Sequence, residues 1–385
     1  MTTYLLAGGG TAGHVNPLLA VADRIRRDDP AATILVLGTA EGLEARLVPL
    51  RGYDLLTIPR LPFPRRPSPA ALRFHGALRG AIARLRGMLR EHHVDVVVGF
   101  GGYAAAPAYV AAALSRVPVV VHEANAKPGM ANVLGSWLTR DVGVVFSSTR
   151  LRHGRRVGMP LRVEIESLDR RSRRSEAVAE FGLDPARPVL LVTGGSSGAR
   201  RLNETMAKAA AGVLGAGWQV LHITGEKSEL TDPGLDGYHL LRYCDRMDLA
   251  LAAADFVVSR AGSATVSELT ALGLPSVLVP YPVGNGEQRH NATDVVRAGG
   301  ALLVADAEFV PEWVARSLVP LLLDRARVAD MAVRAATVGV LDGTDRTVDL
   351  VRGAVRRRGS GRPSWRRPDD AAPTGTTDPT PSEAS

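Results

Sequence analysis

Cysteine is almost absent from this 385-residue chain, whose single one is Cys244. An internal disulfide is thereby excluded, and the usage agrees with a reducing compartment. Lysine is nearly as scarce, confined to Lys127, Lys208 and Lys227, so the net charge of +8 is carried by arginine. Such a surplus points to a polyanion (nucleic acid, anionic lipid or a phosphorylated substrate) or, with equal weight, to an arginine-rich composition. No apolar run approaches the about 20 residues of a membrane span. Met1-Thr2-Thr3 leads into an apolar strand without a basic leader, so the chain is expected on the cytosolic side. No D-x-D carboxylate pair lies outside the C-terminal tail and no His/Cys cluster has metal-ligand spacing, so the expected chemistry uses no metal and no cofactor.

What the chain does have is a repeated alternation. The runs "TYLLAG", "ATILVLG", "VDVVVGF", "VPVVVHE" and "DVGVVF" are each separated by a helix-length stretch. Continuous Val/Ile/Leu runs of this length suit strands covered by helices on both faces, hence an α/β, doubly wound parallel sheet. Near Arg187 the pattern restarts with "PVLLVTGGSSGARRLN", followed by "WQVLHITG", "YHLLRY", "DFVVSRAG" and "PSVLVPY". Two Rossmann-like domains are expected, 1–160 and 161–355, facing each other across a ligand cleft. The charged stretch "RRVGMPLRVEIESLDRRSRRSE" reads as their connection, with Pro160 blocking a helix. Residues 356–385, rich in Gly, Pro, Ser and Thr, read as a disordered tail.

Three glycine-rich turns fall at C-terminal strand ends. The first carries Gly8, Gly10 and Gly13 at G-x-G-x-x-G spacing, the second is "GFGGYAAAP", and the third "TGGSSGA". Together they favour anion binding over mere helix packing. A nicotinamide cofactor would need an acid at the end of the second strand, and Glu41 arrives too late for it. In "SRAGSATVSE" a helix begins near Ala264 and carries Glu268 one turn in, where a carboxylate can take ribose hydroxyls or simply compensate the helix dipole. Gln288 and Asn291 begin another helix with groups suited to sugar hydroxyls. His122, Glu123 and Asn125 follow a strand end, and the His-Glu pair there is as readily structural as catalytic.

The motifs "GGGTAGHVNP", "GFGGYAAAP", "HEANAKPGMAN", "VGMPLR", "GGSSGARRLN", "SRAGSATVSE" and "EQRHNA", in this order, resemble the MurG family. The resemblance spans roughly Tyr4 to Gly353 and implies the GT-B fold, two Rossmann-like domains facing across a cleft. It also implies transfer of N-acetylglucosamine from UDP-GlcNAc to lipid I, the undecaprenyl-diphosphate-linked MurNAc-pentapeptide, giving lipid II for peptidoglycan. Uracil would be read by backbone at Cys244 and ribose by Glu268. Diphosphate would meet Ser196, Ser263, Ala264 and Thr265, with Arg162 near; the residues alone offer Arg260 as a second cation for it. The sugar would meet Gln288 and Asn125, while Thr11, Ala12 and Gly13 would close from the other domain and Tyr103 would stand near the lipid diphosphate. Ala12 replaces a glycine frequent in the family, and Cys244 a larger aliphatic residue. Nucleic acid is not among the implied partners.

Inversion at the sugar requires in-line attack and a base. His14 is the first candidate and Glu123 the second. A different GT-B transferase, a UDP-GlcNAc 2-epimerase and a nucleotide-sensing protein are the competing readings. Finally, Arg60 to Arg90 holds eight arginines and no acid. With Phe63, Leu72, Phe74, Leu78, Ile82 and Leu85 it is expected to dock peripherally on an anionic membrane surface at the cytoplasmic side.

Overall fold

The structure, a computed structural model, describes residues 1–61, 69–195, 199–283 and 286–359. The first half contains β1 (Thr3–Ala7), β2 (Thr33–Gly38), β3 (Asp54–Thr57), β4 (Val96–Gly99), β5 (Val119–Glu123), β6 (Val142–Val144) and β7 (Gly154–Arg156). The second contains β8 (Val189–Thr193), β9 (Gln219–Ile223), β10 (Tyr238–Leu241), β11 (Phe256–Ser259), β12 (Ser276–Leu278) and β13 (Ala301–Leu303). All pairings are parallel, in the orders β3-β2-β1-β4-β5-β6-β7 and β10-β9-β8-β11-β12-β13. Each order reverses once, at β1/β4 and at β8/β11, which opens a crevice beyond the strand C-termini there.

Alternate residues of each strand feed different cores, as strands buried on both faces require. Leu5 and Ala7 join Leu85 and Tyr109 on one face of the first sheet, whereas Tyr4 and Leu6 join Val15 and Ile25 on the other. In the second sheet Val189 and Leu191 pack with Leu249 and Leu269, and Leu190 and Val192 with Leu202 and Trp218. The doubly wound α/β expectation is met twice.

Three strands escape the sequence pattern. β3, β7 and β13 are short edge strands, and β7, Gly-Arg-Arg, is wholly exposed. The stretch expected to be a connection is also more ordered than its charge suggests. Asp169 caps the helix Arg170–Glu180, accepting from Arg171 N at 3.0 Å. Arg170 donates to the carbonyls of Leu251 and Ala254 at the end of the helix Met247–Ala253, and Arg174 pairs with Asp255 at 2.8 Å. Cations bind the orphan carbonyls of a helix C-terminus, so the charge is structural here.

The expected second unit, 161–355, differs at its end. The helix Gly343–Gly359 returns to the first sheet, burying Val348, Val351 and Ala354 against the Tyr4/Leu6 face. Arg357 reaches the buried Asp141 at 2.5 Å, and Arg358 donates to Val94 O at 3.1 Å. Its apolar stripe fits beside the helix Ala12–Asp28, with Arg352 and Asp28 2.9 Å apart. Of the tail expected at 356–385, residues 356–359 instead complete this helix, and 360–385 lie outside the described residues.

Candidate active site

At the first reversal the turn after β1 leads into the helix Ala12–Asp28, with Thr11 extended at its N-cap. No acidic residue lies in its first turn, and its early N–H groups are open to an anion. His14 sits one step inside. Its Nδ1 lies 3.1 Å from Gly9 O and 3.4 Å from Thr11 Oγ1. A carbonyl can only accept, so Nδ1 carries a proton, and the tautomer that fits this contact has its lone pair on Nε2. That Nε2 faces the second glycine turn, 3.0 Å from where a Cβ on Gly101 would stand. Gly102 meets the first turn as closely, since its Cβ would lie 2.6 Å from Gly9 O. Both have positive φ, and only glycine lets the two turns touch. Tyr103, partly exposed beside them, accepts a hydrogen bond from Arg60 at 3.2 Å and carries that guanidinium 4.5 Å above its ring.

At the end of β5, Glu123 is buried, and both its oxygens accept hydrogen bonds. Oε1 accepts from Asn125 N at 2.8 Å, and Oε2 from Gly129 N and Asn132 Nδ2, each at 2.9 Å. Burial raises its pKa, while these donors and the nearby His14 pull it back. The carboxylate thus shapes the loop that presents Asn125. His122 is fully buried, with Nε2 3.1 Å from Gly158 O, and burial lowers its pKa to about 4. Asn132, unnoticed in the sequence, anchors this loop further by donating to His122 O and accepting from Tyr109 at 2.7 Å.

In the second half Gly262 precedes the helix Ser263–Ala271, which also has no acid in its first turn. Ser263 is buried, while Ala264 and Thr265 are half-buried at its start. Arg260 is not available to a diphosphate. It is buried and bonds Asp306 at 2.6 Å and the carbonyls of Val279 and Pro280 at 3.2 and 3.3 Å, while Asp306 also holds Arg201 at 3.1 Å. Arg260 fixes the turn because its strand-end position turns it inward. Arg162, from the connecting segment, instead reaches Glu268 at 3.5 Å. Burial raises the Glu268 pKa, and Arg162 partly offsets this. Gln288 accepts from Tyr281 N at 2.9 Å, and Cys244 is half-buried in the loop after β10, its thiol pushed up to about 11 by burial. Ser196 lies outside the described residues.

The halves meet at this site. Asn291, only 1% exposed, accepts from Ala126 N at 2.9 Å and donates to Asn125 Oδ1 and Ala261 O, each at 3.3 Å. It brings the Asn125 loop and the Arg260 turn to one point. No group of three or more metal-ligating side chains occurs among the described residues.

Residues 4–144 match the Glycosyltransferase family 28 N-terminal domain and residues 189–347 its C-terminal domain. The chain belongs to glycosyltransferase family 28. Within curated family members it is 66% identical over 352 residues to a "UDP-N-acetylglucosamine--N-acetylmuramyl-(pentapeptide) pyrophosphoryl-undecaprenol N-acetylglucosamine transferase" of Leifsonia xyli subsp. xyli, covering 91% of this chain and 98% of that one. It is 52% identical to the protein of the same name in Streptomyces coelicolor, covering 92% and 98%. The crystal structure of MurG from Acinetobacter baumannii superposes with a TM-score of 0.77 at 26% identity, covering 92% of this chain and all of that one. The family assignment agrees with the two-domain GT-B expectation and with the resemblance drawn from the motifs.

In this family-28 chain the expected membrane-facing segment behaves differently from its sequence pattern. Leu85 is core and Ile82 packs against it, while Phe74 and Leu78 are half-buried; Phe63 and the Leu72 side chain lie outside the described residues. Helical periodicity turned Ile82 and Leu85 onto the sheet. A stripe of exposed apolar residues lies on the helix Met130–Leu138. There Met130, Val133, Leu134, Trp137 and Leu138 are exposed, and the buried positions are Asn132, Gly135 and Ser136. Arg152 lies 4.7 Å over Trp137. No helix among the described residues is long and apolar enough to cross a membrane.

Proposed function

We propose that this chain transfers N-acetylglucosamine from UDP-N-acetylglucosamine to the C4 hydroxyl of the muramyl sugar of lipid I, giving lipid II. The observation that carries the reading is the cleft itself. Two helix N-termini approach each other there, at Gly13 and Ser263, and His14, in the first turn of one of them, holds Nδ1 on Gly9 O with Nε2 against the second glycine turn. Glu268 takes the ribose hydroxyls, and the amides of Ser263 to Thr265, with Arg162, take the diphosphate. The loop at Cys244 reads uracil through its backbone, and Gln288 and Asn125 hold the sugar. Thr11, Ala12 and Gly13 close over the donor, with the lipid diphosphate lying near Tyr103.

The acceptor hydroxyl attacks the anomeric carbon in line, with inversion, as His14 Nε2 takes its proton and UDP leaves. Amides and Arg162 stabilise the leaving diphosphate without a metal. The protein works peripherally at the cytoplasmic membrane face. The exposed stripe from Met130 to Leu138 enters the headgroup region, with Arg140, Arg152 and the arginines of the helix Pro69–Glu91 supplying charge to anionic lipid.

The test is incubation of the purified protein with radiolabelled UDP-N-acetylglucosamine and a lipid I analogue, in EDTA. Label in a lipid II product is expected. Donor binding without transfer, or transfer only after magnesium is added, would overturn the reaction or its metal independence respectively.

A further inference from the structure

Glu44 has no part in the reaction above, yet it lies fully buried directly beneath the first glycine turn. Its Oε2 accepts from Gly10 N at 2.8 Å, and its Oε1 from Thr39 N and Thr39 Oγ1, each at 2.9 Å. The space is made by absent side chains. A Cβ on Gly9, Gly38 or Gly42 would lie 2.2, 2.4 or 2.1 Å from Glu44 atoms. Burial favours protonation of this carboxyl, but the donors from Gly10 and Thr39 outweigh it and hold the pKa below the ordinary value.

The N–H that Glu44 binds and the carbonyl that His14 binds belong to one peptide unit. Gly10 N and Gly9 O lie on opposite sides of the same planar bond. We propose that Glu44, the Gly9-Gly10 peptide and His14 form a relay in which Glu44 is a positioning residue. It fixes the peptide plane, so that Nδ1 of His14 stays protonated and Nε2 points to the cleft. Its charge, passed through the polarised amide, stabilises the imidazolium that forms when Nε2 takes the acceptor's proton. The proposal rests on His14 being the base. Other titratable groups facing His14 are His122 and Glu123 at the end of β5, and a substitution at position 44 replaces neither of them.

The test is Glu44→Gln, which keeps the shape and removes the charge. Three readouts are expected. kcat falls about tenfold or more, a part of the about 10²- to 10⁴-fold that a general base supplies, with donor KM within about twofold. The acid limb of the kcat profile moves to lower pH by about one unit, because the imidazolium loses stabilisation. The ¹⁵N signals of the His14 ring, assigned by their loss in His14→Ala, change from a single Nδ1-protonated tautomer to a mixture. An unchanged tautomer together with an unchanged acid limb would overturn the relay. Full turnover in His14→Ala would overturn the base assignment instead, and the ¹⁵N signals would still decide whether Glu44 orients the ring. Should Glu44→Gln fail to fold, Glu44→Asp, which draws the charge back by one methylene, carries the same readouts.

Discussion

Ser263 Oγ lies 3.9 Å from the position that a Cβ on Gly13 would occupy. One residue opens the first helix of one half and the other opens the helix after β11, so two positive helix ends point into one cleft. A diphosphate between them would neutralise both.

Substitution at Gly13 tests this approach. Its Cβ would find only ordinary contacts, at 3.8 and 3.9 Å, so Gly13→Ala leaves the fold intact or stabilises it by up to about 1 kcal/mol. Gly13→Leu pushes against Ser263 and raises the donor KM about tenfold with little change in melting temperature. An unaltered KM in Gly13→Leu would show that the two ends do not close on the donor.

Glu268→Ala weakens donor binding, because it removes a charged acceptor worth about 1.5 to 3 kcal/mol. It also leaves Arg162 without the carboxylate it reaches at 3.5 Å. Calorimetry with UDP-N-acetylglucosamine measures the change, and equal affinity in the variant would remove Glu268 from the ribose site.

Replacing Leu134 and Trp137 together by glutamate reduces sedimentation with anionic vesicles at least about tenfold, since each large apolar side chain is worth about 1.5 to 3 kcal/mol when fully buried. Added salt weakens the wild-type binding, because exposed charges are screened over about 8 Å at physiological ionic strength. Equal sedimentation of wild type with neutral and anionic vesicles would exclude the arginines from docking.

Burial lowers the pKa of His222 to about 4, beside Tyr238 and Asn203. Between that value and the about 6.5 of an unfolded histidine, only the unfolded state binds the proton, so this contribution to stability is present above about pH 6.5 and is lost as pH falls. Urea unfolding of wild type and His222→Gln at pH 7 and pH 5 isolates it. The wild type loses about 1 to 2 kcal/mol more than the variant over that interval, and a parallel loss in both would mean that His222 is solvated in the folded chain.

Much of the site was legible because glycine spacing and strand periodicity are local. Gly8, Gly10, Gly101 and Gly102 announce turns at strand ends, and His14, Asn125 and Glu268 stand beside such turns. The bonds of Glu123 and Arg260 could not be read this way. Each is a charged residue at a strand end, as a catalytic group would be, and only the structure shows its partners, Asn125, Gly129 and Asn132 for one and Asp306 for the other. Glu44 left a faint trace in the glycines at 9, 38 and 42, but nothing local says what they make room for.

The sequence by itself determined two doubly wound sheets, the turns that serve them and the chemical class of the cleft, because hydrophobic period and backbone freedom act within a few residues. The tertiary structure decided which face of each helix is covered. It buried Leu85 and exposed Trp137, and it sent the helix Gly343–Gly359 back to the first sheet. It also decided which charges find partners from distant elements, as Glu44 does at Gly10 across 34 residues and Arg357 at Asp141 across 216. Those choices depend on competition between surfaces far apart in the chain, and burial energy is settled only when all of them have packed.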